Sequence, residues 1–250
     1  GIKKTKIIAP SVDCISPIGQ ELLEKGLKKE INAEFYTAVT RPPEVYRGNP
    51  FIVEAGIAYG GEQNAEESMK LLRYANRVPL LYQQGACAVT RSIINTVWHN
   101  YGLSQSRGAL PVGPVTVVVH IASVWVPFTS ESKEAIAHYP EIIKEIKLAL
   151  QECGRKLASY VGKKRRLQFE GKKRDYIKMF IPHVGEALQE LLKLKDADEK
   201  KIEELLEEIL EKKRGEMEEI EAKNLEYDEE FAKIGREEET EEGEEKDEKE

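Results

Sequence analysis

Lys133, in the run VPFTSESKEAIA (126–137), is the residue whose position offers the clearest chemistry. Thr129 and Ser130 carry side-chain oxygens that can cap a helix beginning near Glu131. Lys133 would then lie in the first helical turn, where the helix dipole disfavours a cation by roughly 0.3–1 kcal/mol. The same place suits a lysine that binds an anion, because backbone N–H groups and the ammonium converge on it. A solvated surface lysine is the alternative interpretation.

A second candidate is the stretch KKRRLQFEGKKRDYIK (163–178), which has eight basic and two acidic residues. Such a stretch can follow nucleic-acid phosphates or bind an acidic protein surface, and a solvated helix face is equally open. The first cluster supplies the candidates for nucleic-acid contact: Lys163, Lys164, Arg165 and Arg166. A second cluster follows at Lys172–Arg174.

The cysteines and histidines show no metal-binding pattern. The three cysteines are far apart and form no CxxC pair, so neither a zinc site nor a disulfide framework is predicted, and a reduced cytosolic compartment is the default. These are Cys14, Cys87 and Cys153. His120, His138 and His183 lie in apolar or helical contexts, and we expect structural roles for them.

The charge is distributed unevenly along the chain. Residues 201–250 hold 9 Lys/Arg and 23 Asp/Glu, whereas the net charge of all 250 residues is −7, so residues 1–200 carry +7. A basic body with an acidic tail is compatible with a nucleic-acid partner. The low-complexity end at 236–250 cannot bury a core, and we predict that it is disordered.

The elements that must position these residues alternate between helix and strand. SPIGQELLEKGLKKEI (16–31) predicts a helix with Pro17 at its first position and an end near Asn32. Alternating or apolar runs predict three strands and a central, buried fourth. These runs are EFYTAVT (34–40), antiparallel to FIVEAGIAYGG (51–61); RVPLLYQQ (77–84); and the central VTVVVHIASVWV (115–126).

Helices are predicted behind the third strand and from Lys133 onward. ACAVTRSIINTVW (86–98) fits the first of them, and in the second Pro140 is the expected kink or break. No run of 18 apolar residues and no signal peptide is present, so neither membrane nor secretion is expected. Because the first residue is Gly1 and not methionine, we expect a processed or excised piece of a longer protein.

Five long, irregular strings, in order between about residues 8 and 180, resemble the B subunit of archaeal topoisomerase VI, a type IIB DNA topoisomerase. They are APSVDCISPIG (9–19), VTRPPEVYRGNPF (39–51), YANRVPLLYQQGACAVT (74–90), WHNYGLSQ (98–105) and VPFTSESKEAIA (126–137). The part that they resemble is the transducer, which follows the ATPase domain.

The resemblance implies an α+β fold: a two-layer α/β sandwich of the GHMP-kinase and ribosomal-protein-like type, with a left-handed βαβ crossover. That handedness is an exception to the usual rule. A long helical C-terminal extension and the acidic tail would follow. The expected divisions are a linker from an upstream domain (1–15), the transducer (16–162), a basic then amphipathic helical extension (163–225) and the disordered tail (226–250).

The implied function is a relay within an ATP-hydrolysing isomerase. ATP-driven dimerisation and hydrolysis in the B subunit would be passed to DNA double-strand cleavage and strand passage by the A subunit, relaxing supercoils and decatenating DNA in an A2B2 complex. Partners would be the A subunit, a second copy of the B subunit, and duplex DNA, in the cytoplasm at the nucleoid. ATP and Mg²⁺ would be bound mainly by the upstream GHKL-type domain, whose Asp-x-Gly-x-Gly box is missing here; GIAYGG (56–61) is the nearest string. We therefore expect no catalytic or metal-binding residue in this chain, and no activity or bound cofactor in it alone.

Two residue roles follow from the resemblance. The transducer's switch lysine, which reaches the γ-phosphate of the nucleotide, falls on Lys133, where a point charge would stabilise the phosphoryl oxygens. The family's Trp-Lys-x-Tyr motif, proposed to touch DNA, reads Trp98-His99-Asn100-Tyr101 here. Histidine supplies little charge at neutral pH, so weaker DNA contact is expected. Packing of Trp98 and Tyr101 against the sheet is the equally open alternative.

Two other classes of protein compete with the relay. An independent GHMP-kinase-like enzyme would need a Gly/Ser-rich phosphate loop between a strand and a helix, and the sequence has none. A non-enzymatic scaffold for nucleic acid or protein, lacking an ATPase partner, stays open on sequence alone.

Overall fold

The computed structural model describes residues 10–192 and 200–212, which form one mixed β-sheet and four α-helices. The strands are β1 (Phe35–Thr40), β2 (Glu44–Tyr46), β3 (Asn49–Tyr59), β4 (Lys70–Ala75), β5 (Val78–Pro79) and β6 (Val115–Ser123). The helices are α1 (Gln20–Glu30), α2 (Ala88–Ile94), α3 (Pro140–Leu192) and α4 (200–212). Single 3₁₀ turns occur at Val12–Cys14, Gln84–Ala86 and Trp98–Tyr101.

The strand order of the sheet is β1-β3-β6-β4-β5, with β2 also paired to β3. All neighbouring strands are antiparallel except β4 and β6, which run parallel and are connected through α2. Every residue of β6 is buried, as expected for a β-branched strand with neighbours on both sides and helices above and below. The predicted antiparallel pairing of β1 with β3 and the central position of β6 are confirmed.

Helices cover both faces of the sheet, because successive residues of a strand point to opposite sides. Val118 packs with Leu23 and Leu27 of α1, whereas Val117 and Val119 belong to a larger core with α2 and the first half of α3. The observed architecture is thus a sheet between two helical layers and not the predicted two-layer sandwich. The mixed α/β class and the long C-terminal helix are as predicted.

The start of α1 differs from the prediction. The helix begins at Gln20, and its N-cap is Gly19 with φ of 89°, so Pro17 precedes the helix. No side chain within the segment caps it. The carboxylate of Glu54, on β3, accepts hydrogen bonds from the backbone N–H groups of Ile18 and Gly19 at 2.8 and 2.6 Å and thereby satisfies donors at the helix start.

The predicted third strand is wrong in most of its length. Residues 77–84 contribute only the two-residue β5, and the longer strand is β4. The side chain of Arg73, in β4, is buried and donates to the carbonyls of Leu80 and Tyr82, which holds the segment after β5 in an irregular path. Leu81 and Tyr82 are exposed as a result.

The long helix α3 begins at Pro140, whose missing N–H is harmless in the first turn, so the predicted kink is its first residue. It continues through Pro182 to Leu192, and the expected boundary between 162 and 163 falls inside it. The chain divides into two compact units, Gly1–Arg166 and Leu167–Glu250. The acidic tail and most of the linker at 1–15 lie outside the described residues, and the domain boundaries stay predictions.

Candidate functional site

Lys133 does not lie in a helix, so the predicted helix start at this position is wrong. The lysine is exposed, at a turn where its N–H donates to the carbonyl of Ser130 at 3.2 Å, seven residues before α3 begins. Its φ of 56° is left-handed, an uncommon conformation for a residue with a Cβ. Lys133 is therefore not in the first turn of a helix, and its ammonium is presented by a loop.

The base of this loop is fixed by the core. Phe128 and Ile136 form an antiparallel bridge, and Thr129 N–H donates to the carbonyl of Ala135 at 2.9 Å. Ala135 and Ile136 have no exposed surface. The carbonyl of Ile136 also accepts from the N–H of Ala88 at 2.9 Å, at the start of α2. The burial and strand-like pairing of Ala135 and Ile136 outweigh the tendency of the preceding residues to start a helix. Lys133 therefore lies at the exposed tip of a loop whose base is packed in the core.

Trp98 is a core residue. Its side chain has no exposed surface, and its indole N–H donates to the carbonyl of Ile93 at 2.8 Å. Its ring lies edge-on to Tyr101, with centroids 5.9 Å apart. Stacking on a base needs an exposed ring, so a nucleic-acid role of this turn would be left to the exposed His99 and the half-buried Tyr101.

The turn at Trp98–Tyr101 packs directly on α3. A Cβ on Gly154 would lie 2.6 Å from the ring of Tyr101, so only glycine allows this contact without displacement. Further along α3, Arg165 donates to the carbonyl of Gly102 at 3.2 Å. The structure therefore brings together two of the candidate sets, the turn that contains His99 and the basic cluster Lys163–Arg166.

The four basic residues of that cluster are not equivalent. Lys164 forms an ion pair with Glu34, whose Oε2 also accepts from the Tyr160 hydroxyl at 3.0 Å. The hydrogen bond from Lys164 lowers the pKa of Glu34, and the same bond raises the pKa of Lys164, so both groups are charged at neutral pH. Lys163 and Arg166 are exposed. The positive charge available to an outside anion comes mainly from Lys163, Arg165 and Arg166.

A buried Glu54–His120 pair is the polar feature that sequence reasoning missed. The two residues are register partners on β3 and β6, neither is exposed, and Glu54 Oε2 lies 2.7 Å from His120 Nδ1. The hydroxyl of Thr40 donates to the other carboxylate oxygen at 2.8 Å. The N–H of Arg77 approaches His120 Nε2 at 2.9 Å, which makes Nε2 the acceptor and Nδ1 the donor to Glu54. The visible signal was that Glu54 is the only acidic or basic residue of β3 and His120 the only one of β6.

This pair ties the chain entering α1 to the sheet. Burial acts to raise the pKa of Glu54, but the hydrogen bonds from His120, the Ile18 and Gly19 amides and Thr40 outweigh it and lower that pKa. The structural role expected of His120 agrees with this network. His138 and His183, in contrast, take no part in it, and His183 is exposed.

The described residues provide no further site of covalent or metal chemistry. Burial raises the pKa of the Cys153 thiol to about 12, so it is not a nucleophile at neutral pH. Within residues 10–192 and 200–212, no group of three His, Cys, Asp or Glu side chains can hold a metal ion. The helices of these same ranges are too short or too polar to cross a membrane. Gly60 and Gly61 follow the end of β3, where backbone atoms of Asn32 and Ala33 approach Gly61 closely.

The family model "Topoisomerase VI B subunit, transducer" matches residues 10–173, more than half of the chain, and the chain belongs to this family. A relative from Methanococcoides burtonii, named as the B subunit of type 2 DNA topoisomerase 6, is 50% identical over 190 residues, covering 76% of this chain and 30% of the relative. A relative of the same name from Archaeoglobus fulgidus is 46% identical over 190 residues, covering 76% and 31%. The chain thus spans about a third of the length of the curated relatives it matches.

Among the solved structures that match the chain is one described as the B-subunit of the DNA gyrase from Myxococcus xanthus. It is 20% identical, covers 54% of this chain and 38% of its own, and has a TM-score of 0.36. A likeness at this level carries no conclusion about function.

Proposed function

We propose that the chain is the transducer portion of an ATP-binding B subunit in a type IIB DNA topoisomerase. It would relay ATP-driven dimerisation and hydrolysis to DNA cleavage and strand passage by the A subunit of that enzyme. The observation that carries this proposal is the family match over residues 10–173, together with 50% identity over 190 residues to a protein named as the B subunit. The remaining two thirds of the relatives' length would supply the ATPase, and a second copy of the B subunit would complete the ATP-dependent dimer.

The architecture supports a relay because the long helix α3 is anchored in the core by its first half and extends beyond that core. The first half of α3 packs in the core through Ile142, Ile146 and Leu150, and the helix continues to Leu192. The buried Glu54–His120 pair fixes the chain that enters from the upstream side. Motion applied at the entering chain would reach α3 through a packed core, which is poorly deformable. The parallel β4–α2–β6 unit is where the left-handed crossover of the GHMP type belongs in this proposal.

Lys133 is the proposed contact to nucleotide in the complete subunit. An exposed lysine at a strained loop tip, on a base without exposed surface, is suited to reach a phosphate held by another domain. ATP supplies the γ-phosphate and Mg²⁺ neutralises part of its charge, and both would be held mainly by the upstream domain. This chain would contribute one ammonium, which orients toward the phosphoryl oxygens and is released when that phosphate leaves.

Duplex DNA is the proposed partner of the basic residues Lys163, Arg165 and Arg166 beside His99. This assignment implies a protein that works in the cytoplasm, at the nucleoid. The test is equilibrium binding of the chain to duplex DNA over a range of salt concentrations. We expect Lys163→Gln with Arg166→Gln to weaken binding and to reduce the slope of log K against log salt by about 2, since each phosphate contact contributes about 0.9.

Two controls decide how that experiment is interpreted. Lys144→Gln removes an exposed charge elsewhere on α3 and should leave both affinity and slope unchanged. Lys164→Gln should have a smaller effect than Lys163→Gln, because Glu34 already neutralises Lys164. Equal binding by the wild type and the double variant would remove the DNA assignment from this cluster. The topoisomerase role as a whole is tested by ATP-dependent relaxation of supercoiled DNA by the complete B subunit together with the A subunit.

A further inference from the structure

Helix α4 lies against the second half of α3 in the unit Leu167–Glu250. Its less exposed apolar residues are spaced four apart, which places them on one stripe: Ile202, Leu206 and Leu210. On α3, the less exposed positions also recur every three or four residues, at 171, 174, 178, 181 and 185. Glu211, near the end of α4, forms ion pairs with Arg174 and Lys178 of α3.

Arg174 and Lys178 are two cations that form ion pairs with the same carboxylate oxygen of Glu211. They are four residues apart on α3 and therefore neighbours on its surface. Glu211 Oε1 lies 3.6 Å from Arg174 Nη1 and 3.2 Å from Lys178 Nζ, so a single negative charge faces two positive charges. Within the described residues, Arg174 Nε is buried and has no hydrogen-bond partner. Among the described residues, the pair thus carries one positive charge more than Glu211 balances, and Arg174 keeps an unpaired Nε–H donor that is closed to solvent in this arrangement.

A backbone phosphate of duplex DNA fits the same pair. Arginine suits phosphate because its planar guanidinium can donate two hydrogen bonds to one group, and a neighbouring ammonium adds a point charge. We propose that Arg174 and Lys178 form a phosphate-binding pair on α3 and that α4 occupies this pair with Glu211 when DNA is absent. The proposal rests on the proposed DNA contact of α3 and adds a second contact and its regulation.

The contact is weak enough to be displaced. The side chains of Arg174, Lys178 and Glu211 are 31%, 38% and 45% exposed, and ion pairs with that exposure contribute little to stability and are screened by salt. Residues 200–212 also lie beyond residue 173, where the family match ends. Arg174 and Lys178 lie beyond it as well, so the ion pairs with Glu211 fall outside the part of the chain that the family model matches.

The test is DNA binding by the full chain with Glu211→Gln, measured by titration of a labelled duplex. The matched control is Glu208→Gln, which makes the same charge change at an exposed position of α4. At about 50 mM salt we expect Glu211→Gln to bind about two- to fivefold more tightly than Glu208→Gln, and the difference should vanish at about 500 mM. In a background with Arg174→Gln and Lys178→Gln, binding should be weaker and Glu211→Gln should have no effect.

Two results would overturn the inference. Equal affinities of the Glu211→Gln and Glu208→Gln variants would show that Glu211 does not compete with DNA, while the DNA contact of Lys163 and Arg166 would stand. No DNA binding by the wild type or any variant would remove both that contact and this inference. Equal helix content of the two variants by far-UV circular dichroism establishes that a difference in affinity does not come from unfolding of α4.

Discussion

Replacing Glu54 by glutamine should destabilise the fold strongly, although the side chain keeps its size. The carboxylate accepts four hydrogen bonds with no exposure to solvent: from the N–H groups of Ile18 and Gly19, from Thr40 and from His120. Hydrogen bonds to charged groups contribute about 1.5–3 kcal/mol each, but burial of the charge offsets much of their sum. An amide has one oxygen and an NH₂ group that must face a donor. We expect a loss of about 3 kcal/mol in the free energy of unfolding.

Urea denaturation of the two proteins at pH 7 measures this loss, with Glu44→Gln as the control. Glu44 is exposed on the short strand β2, so its replacement should change the free energy of unfolding by no more than about 0.5 kcal/mol. A loss below about 1 kcal/mol for Glu54→Gln would refute the view that this carboxylate organises the entry to α1.

The difference in stability between the wild type and Glu54→Gln should also depend on pH. The pKa of Glu54 is lowered in the folded state, so its contribution to stability is present above the unfolded value, about 4.3, and is lost as pH falls through the folded pKa. The difference in stability between the wild type and Glu54→Gln should therefore be full at pH 7 and shrink on acidification below about pH 4. A difference that stays constant down to about pH 2.5 would show that ionisation of Glu54 is not its source.

Three further predictions concern single positions. Gly154→Val should lower the free energy of unfolding, measured by urea denaturation, by about 1–3 kcal/mol because the new side chain meets the ring of Tyr101. Gly162→Ala, in open space on the same helix, should leave it unchanged or raise it by up to about 1 kcal/mol. Equal effects of the two variants would contradict the packing of Tyr101 on Gly154. Alkylation at about pH 8 should modify the exposed Cys14 and spare Cys153, whose thiol is buried with a raised pKa, and early labelling of Cys153 would contradict the core. Lys133→Gly should stabilise the chain by about 0.5–1 kcal/mol because glycine adopts the left-handed conformation without strain, and a loss of stability would show that the side chain holds the loop.

The strands of the sheet were predictable where their burial requires a recognisable pattern of apolar residues in the sequence. β6 is mostly apolar along its whole length because it is buried on both faces, and β1 and β3 carry the same signal in weaker form. β4 was missed because its sequence, KLLRYA, includes two cations, one of which is the buried Arg73 that bonds to backbone carbonyls. The carbonyls that accept from Arg73 lie seven and nine residues further along the chain, so no local sequence pattern indicates that this arginine can be buried.

The candidate site was predictable in composition but not in geometry. The string around Lys133 has the residues of a helix start, yet its conformation is set by Ile136, which pairs with Phe128 and accepts a hydrogen bond from α2. The contact with α2 joins residues far apart in sequence. The pairing of Glu54 with His120 likewise requires the register of β3 against β6, which alternation alone does not specify.

The most direct test of the account is ATP turnover by the complete B subunit, assembled with the A subunit, when it carries Lys133→Ala. Because the lysine would contribute one charged contact to the γ-phosphate, we expect turnover to fall by about tenfold or more, with folding intact and Lys133→Arg partly active. Lys144→Ala, at an exposed lysine on α3, should retain wild-type turnover and serves as the control. Wild-type turnover by Lys133→Ala would contradict the proposal that this loop carries the nucleotide signal into the transducer.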